Sequence, residues 1–111
     1  MAISFTQLAQ SRPSGTSATQ VYSPGASEEV IIKSIVVSNT SGAAATYRVF
    51  VDHDGTTYDQ TTALFYDISL DGGASDVIEA TICMSDTTGN VAVRTSVADA
   101  LTFTLNGMVK T

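Results

Sequence analysis

Apolar residues along this chain come in short runs that turn residues interrupt. The runs are rich in Val, Ile, Thr and aromatic side chains, which favour strands, and most of them alternate polar with apolar positions. We count about eight such runs at a spacing of roughly 8–14 residues, and no helical pattern. Regularly spaced strands predict an all-β fold, namely an antiparallel two-sheet β-sandwich of jelly-roll or immunoglobulin-like topology.

The central runs carry the clearest pattern. Residues 29–39 are mostly apolar on both faces, which predicts a central strand with both faces covered, and a Gly-containing turn joins them to an alternating strand at residues 44–52. Residues 63–70 follow, with the even-numbered apolar positions assigned to the core. This assignment leaves Phe50 and Phe65 on the opposite faces, so we interpret both as candidates for a subunit contact.

Both ends of the chain depart from this pattern. In residues 1–15, the apolar Ile3, Phe5 and Leu8 precede a segment that Pro and Gly interrupt. We predict an N-terminal arm at 1–15, which packs on its own domain as a short edge segment or reaches a neighbouring subunit. The β-sandwich domain then spans 16–111. Ile3, Phe5 and Leu8 lack a place in the alternating core and are candidate contacts to another subunit or a shell. Near the other end, residues 106–107 (Asn-Gly) are typical of a tight turn.

Composition narrows the class of protein. A chain of 111 residues with 43% hydrophobic and 14% charged residues fits one folded domain, and it contains no long apolar run that would span a membrane. The net charge is −6 and the five basic residues are scattered. This distribution argues against binding to nucleic acid or to an anionic membrane surface. The start of the chain lacks the features of a secretory signal, so we expect synthesis in a cytoplasm.

The sequence offers little reactive chemistry. Cys83 is the only cysteine, which we interpret as a small buried hydrophobic residue, and His53 is the only histidine. The carboxylates of Asp52 and Asp54 fit a turn better than an EF-hand loop, which would require Gly and Glu at positions where the chain has Thr57 and Ala63. We expect no catalytic residue, no cofactor and no metal site. Whether Asp52 and Asp54 bind a cation stays open.

Five segments within residues 30–105 carry a resemblance to a known family. They are IIKSIVVSNTSG (31–42), ATYRVFVD (45–52), TTALFYD (61–67), NVAVR (90–94) and LTF (101–103). This stretch resembles small β-sandwich virion structural proteins of tailed bacteriophages, of the capsid decoration (cement) type. The resemblance implies a protein without enzymatic activity on the outer surface of the phage head. It also implies a homotrimer that binds the major capsid protein and stabilises the shell by multivalent attachment. The alternative is a phage tail or fibre module that binds a host receptor or a carbohydrate, because these motifs are compatible with head and tail.

Overall fold

A computed structural model describes residues 2–111, which fold into two antiparallel sheets of four strands. The strands are β1 (Ile3–Ser11), β2 (Thr19–Tyr22), β3 (Glu29–Asn39), β4 (Ala45–Asp52), β5 (Ala63–Leu70), β6 (Ser75–Met84), β7 (Asn90–Thr95) and β8 (Leu101–Lys110). One sheet has the order β1-β8-β3-β6 and the other β2-β7-β4-β5. The described residues contain no helix, and therefore no helix that could cross a membrane.

The strand order identifies the topology. β1 pairs with β8, β2 with β7, β3 with β6 and β4 with β5, as if one long hairpin had been rolled into two sheets. The β3–β8 and β4–β7 pairs complete the sheets. This is the jelly-roll arrangement. The prediction of an antiparallel two-sheet sandwich is confirmed, and the jelly roll is the adopted one of its two topologies.

The core lies between the sheets and joins them by side-chain packing and by hydrogen bonds. Its largest aromatic pair is Tyr47 and Phe103, whose rings meet edge to face with centroids 6.0 Å apart. The Tyr47 hydroxyl donates to the Asp76 carboxylate at 2.8 Å, which links β4 to β6 across the sandwich. Aliphatic side chains fill the remaining space: Val30, Ile32, Ile35, Val37, Val49, Val91, Val93, Leu101 and Leu105.

A β-bulge in β3 changes which side of the strand faces the core. The register with β8 shifts between Ile32 and Ser34, so that Ile32 and Ile35 are both buried while Lys33 is exposed. The apolar residues that simple alternation assigns to two faces of this run therefore belong largely to one face. Ile31 and Val36 remain on the outer side, where they are half-buried.

Gly107 lies in β8 directly opposite this bulge. Its register partner is Ile32, and a Cβ atom at position 107 would overlap the carbonyl oxygen of Ile31. Only glycine leaves room for the bent backbone of β3 at this point. The predicted tight turn at residues 106–107 is wrong, because β8 continues through both residues to Lys110.

A second bulge explains the exposed residues of β5. Between the Tyr47–Ile68 and Val49–Phe65 pairs, β5 has one more residue than β4, and Asp67 adopts a positive φ of 55° there. The bulge reverses the alternation, so Phe65 packs against the core while Tyr66 is exposed. The expected placement of the even-numbered residues of this run in the core is therefore wrong for Leu64, Tyr66 and Ile68, which are exposed, and correct for Leu70.

The N-terminal segment is an edge strand of its own domain. β1 pairs with β8 along nearly its whole length, and the Arg12 side chain donates to the carbonyl oxygen of Asp99. Of the two arrangements that the sequence left open for residues 1–15, the described residues adopt the edge segment. Residue 1 lies outside the described residues.

We expect Gly107→Ala to destabilise the fold by about 1–3 kcal/mol, the usual range for an overpacked core. The added methyl group would have to displace the backbone of β3 at Ile31. Thermal unfolding followed by circular dichroism measures the effect. Gly15→Ala is the control, because a Cβ atom there would meet no other atom within 4 Å. Equal melting temperatures for Gly107→Ala and the native chain would contradict this role of Gly107.

Candidate interaction surfaces

The predicted contact residues of the N-terminal segment have different environments. Phe5 and Ile3 lie on the outer side of β1, with 81% and 54% of their surface exposed. Leu8 lies at the bulge of β1 and packs, half-buried, against the core. Phe5 and Ile3 are therefore available to a partner in this fold, whereas Leu8 is largely used by the domain itself.

Phe50 is not available to a partner, contrary to the sequence-based expectation. Although it points away from the core, only 2% of its surface is exposed. Its ring packs on Tyr58, with centroids 6.1 Å apart, because the loop of residues 53–62 folds over the outer face of β4. Alternation along one strand gives no sign of a loop that returns to cover it. Phe65, the other candidate in these strands, is half-buried against the core.

Four apolar side chains form a row across the outer face of the β1-β8-β3-β6 sheet, which we call the apolar ladder. Phe5 pairs with Met108, Met108 with Ile31, and Ile31 with Cys83, so that each strand contributes one residue. With neighbouring strands about 4.8 Å apart, the ladder spans roughly 14 Å. Phe5 and Cys83 are exposed at its ends. The interpretation of Cys83 as a buried residue is wrong.

The strand pairings explain why sequence analysis missed the other members of the ladder. Met108 and Ile31 are half-buried, and neither stands out in its own strand. They become one surface only because the strand order β1-β8-β3-β6 brings distant segments into register. A groove of about 350 Å³ lies at the Cys83 end, lined by Glu29, Val30, Ile31, Cys83, Met84, Ser85, Met108 and Lys110.

Polar residues border the apolar ladder on both sides. On one side, the Lys110 ammonium lies 3.5 Å from the Glu29 carboxylate. On the other side, the Asn106 side chain donates to the Ser34 hydroxyl at 3.3 Å, and Lys33 donates to Thr81 at 3.2 Å. An apolar centre with a polar rim is the usual composition of a protein–protein contact.

The acidic segment after β4 has a structural role in its loop. Asp52, His53 and Asp54 bring possible ligand atoms within 4.8 Å of one another. The Asp52 carboxylate, however, accepts the backbone N–H groups of Thr57 at 2.9 Å and Asp54 at 3.3 Å. The Thr57 N–H in particular lowers the pKa of Asp52, because it favours the ionised form. These bonds hold the loop that covers Phe50, in agreement with the turn interpretation.

Topology and surfaces together define the chain as an eight-stranded jelly-roll domain with an apolar row across one outer face. No protein-family model matches the chain, and no curated protein matches it. Among solved structures, it is similar to a chain of the infectious bursal disease virus VP2 subviral particle, with 17% identity and a TM-score of 0.53. That match covers 97% of this chain and 31% of the viral chain.

A chain of the Gx strain of the same virus is also similar, at 16% identity and a TM-score of 0.49, over 97% of this chain and 32% of the viral one. The present chain therefore spans about a third of the length of the viral chains that it matches. At this level of identity, the similarity to the VP2 subviral particle shows a shared fold.

The hydrogen bonds of Asp52 predict a specific acid sensitivity. The folded-state pKa lies below the ordinary value of 3.8, so ionised Asp52 contributes stability above about pH 3.8. That contribution is lost as the pH falls through the lower folded-state pKa. We expect Asp52→Asn to lower the melting temperature at pH 7. The difference in melting temperature between Asp52→Asn and the native chain should be smaller at pH 3.

Thermal unfolding between pH 3 and pH 7 tests this expectation. Asp54→Asn is the control, because the Asp54 carboxylate contacts the exposed ring of His53 and should have little effect on stability at pH 7. A constant difference between Asp52→Asn and the native chain across this pH range would show that ionised Asp52 does not stabilise the loop.

Proposed function

We propose that this protein is a non-enzymatic structural component of a virion, and that it decorates the outer surface of the capsid shell as a cement protein. The apolar ladder is the observation that carries the proposal. The shared fold with a chain of a VP2 subviral particle supports a place in a virus particle. The family resemblance of residues 30–105 fits a phage particle, and we favour its head over its tail because the sequence contains no long fibre-like repeats.

The β1 side of the molecule is the proposed docking region. Exposed edge strands are usually protected by charges, bulges or shortness. β2 has only four residues, β5 is interrupted by its bulge, and β6 carries acidic side chains. β1 has a bulge at Leu8, but residues 3–7 before it pair regularly with β8 and include no charged or proline side chain, and they present Phe5 at one end of the apolar ladder. A partner can therefore bind the ladder and the free backbone edge together.

The proposed partner is the major capsid protein, which this domain contacts through the apolar ladder. Because each copy offers a small surface, we propose that a homotrimer clamps neighbouring shell subunits and gains affinity from several simultaneous contacts. A protein that binds only the assembled shell stabilises that state by mass action. The role requires no reactive group, consistent with an interaction made by exposed apolar side chains.

A tail or fibre module that binds a host receptor is the second candidate. The observation that favours it is a polar cleft on the outer face of the β2-β7-β4-β5 sheet, where Arg48 and Arg94 lie side by side. A tail module would use this cleft, whereas a decoration protein would dock through the apolar ladder.

We expect Phe5→Ser to weaken binding to the shell at least tenfold, because an exposed aromatic residue at a contact supplies more than the roughly 1.4 kcal/mol that a tenfold change requires. Co-sedimentation with capsid shells prepared without this protein measures the loss. The melting temperature should change little, since Phe5 is 81% exposed in the free domain.

Leu64→Ser is the matched control for Phe5→Ser. Leu64 is also an exposed apolar residue, at 49%, but it lies on β5 in the opposite sheet. Its substitution should leave shell binding unchanged. Loss of binding in Leu64→Ser together with full binding in Phe5→Ser would contradict the proposed docking face.

A further inference from the structure

Two arginines lie directly opposite each other on the outer face of the β2-β7-β4-β5 sheet. Arg48 of β4 pairs in register with Arg94 of β7, and both point away from the core because Val49 and Val93 beside them are buried. Like charges at such a cross-strand pair destabilise a sheet. The pair also uses two of the five basic residues in a chain with a net charge of −6. Among residues 2–111, Asp67 pairs with Arg48 and no carboxylate pairs with Arg94, so one positive charge of this pair is not neutralised.

Asp67 and Tyr66 hold the Arg48 side chain in place. The Asp67 carboxylate accepts two hydrogen bonds from the guanidinium, from Nε at 2.6 Å and from Nη2 at 3.1 Å. The guanidinium carbon also lies 3.8 Å from the centre of the Tyr66 ring. Contact with an aromatic face and a bidentate carboxylate fixes both the plane and the position of the guanidinium.

The backbone at Asp67 is adapted to this contact. Its φ of 55° is the left-handed conformation, which Asp adopts more readily than most residues other than glycine, and it occurs at the bulge of β5. The bulge places the carboxylate beside Arg48, where Arg48 and, to a lesser extent, Arg94 lower the pKa of Asp67.

Arg94 is oriented but retains unused donors. Its Nε donates to the carbonyl oxygen of Thr16 at 2.9 Å, which fixes the start of the guanidinium group. Within residues 2–111, neither of its two Nη groups makes a hydrogen bond. These donors border a cleft of about 330 Å³, lined by Thr46, Arg48, Asp67, Arg94, Thr95 and Ser96. The volume falls within the range of small-molecule sites.

The wall of the cleft is fixed by its own hydrogen bonds. The Ser96 hydroxyl accepts the backbone N–H of Thr46 at 2.8 Å, and the Ser96 N–H donates to the carbonyl oxygen of Thr46 at 3.0 Å. The site is thus largely formed before any ligand arrives. A preformed site loses less entropy on binding than a flexible one.

The mixture of charges selects the chemistry of the ligand. Guanidinium donors bind carboxylates well, while Asp67 keeps acceptor sites beyond the two that Arg48 occupies. A ligand that binds both the guanidinium donors and the Asp67 carboxylate must carry an anionic oxygen group and hydroxyl donors in one small molecule. An acidic sugar has both groups. An acidic peptide has donors in its backbone N–H groups, but it brings several carboxylates, which Asp67 repels more strongly than the single carboxylate of an acidic sugar.

We propose that this cleft binds the carboxylate and neighbouring hydroxyl groups of an acidic saccharide, with Arg94 and Arg48 holding the carboxylate and Asp67 accepting from a hydroxyl. The proposal does not depend on the decoration role. The two are compatible, because the cleft and the apolar ladder lie on opposite outer faces of the sandwich. A copy that docks through the ladder would present the cleft outwards.

The test is a titration of the isotopically labelled native protein by NMR, with sialyllactose and a glucuronic-acid disaccharide as acidic probes and lactose as the neutral one. We expect resonances of Arg48, Asp67 and Arg94 to shift with the acidic probes and not with lactose. Arg94→Gln should weaken binding at least tenfold, whereas Arg12→Gln, whose side chain binds the Asp99 carbonyl at another edge, should leave it unchanged. If the acidic probes shifted the resonances of Arg94→Gln as much as those of the native protein at the same concentration, the proposal would be overturned.

Asp67→Asn separates a saccharide site from a simple anion site. Asparagine tolerates the positive φ at this position, so the variant should fold. If Asp67 accepts from a hydroxyl, Asp67→Asn should bind sialyllactose more weakly and bind sulfate or a polyglutamate peptide no worse. Stronger binding of polyglutamate than of both acidic saccharides by the native protein would make this a peptide site. If neither acidic saccharide shifted these resonances, Arg48 and Asp67 would be an ordinary surface ion pair. Each of these two results would contradict the proposal.

Discussion

The close approach of β3 to Gly107 is the constraint on which much of this structure depends. The bulge at that point sends Ile32 and Ile35 into the core from a strand whose simple alternation would separate them. Because the strand must bend toward β8, the position opposite has no room for a side chain. The same bend keeps Ile31 on the outer side, in register with Met108. The packing of the core and the composition of the outer face are thus consequences of one irregularity.

The two outer faces of the sandwich differ in chemistry and therefore in what they can bind. The face of the β1-β8-β3-β6 sheet offers an apolar row with a polar rim, which suits contact with another protein. The face of the β2-β7-β4-β5 sheet offers a charged cleft around Arg48, Asp67 and Arg94, which suits a small polar ligand. The proposed docking through the first face would leave the second face open to the surroundings.

Local signals in the sequence predict the positions of the strands well. They predict poorly which residues of each strand point into the core. The patterns at residues 29–39 and 44–52 predict strands. The structure has β3 with the predicted bounds and β4 beginning one residue later, because β-branched runs and turn residues act over short distances. Alternation places Phe65 on the wrong face because a one-residue bulge inverts the positions beyond it. It also makes Phe50 a contact candidate, although a separate loop covers that side chain.

The surfaces are harder to predict than the strands. The apolar ladder combines residues as distant in sequence as Phe5 and Met108, and the Arg48–Arg94 pair depends on the partners that the jelly roll selects. Both are properties of strand order, which alternation along one strand does not encode. Of the ladder, only Phe5 is recognisable as a contact candidate in the sequence, because it stands outside any alternating run.

Cys83 provides the most direct test of the docking face, since it is the only thiol of the chain and one end of the apolar ladder. The rate of its alkylation should be measured on the unmodified protein, free and bound to capsid shells. A Leu64→Cys variant in a Cys83→Ser background reports on the opposite sheet. The account predicts that binding protects Cys83 several-fold and leaves the thiol introduced by Leu64→Cys reactive. An unchanged rate at Cys83 in the bound state would contradict it.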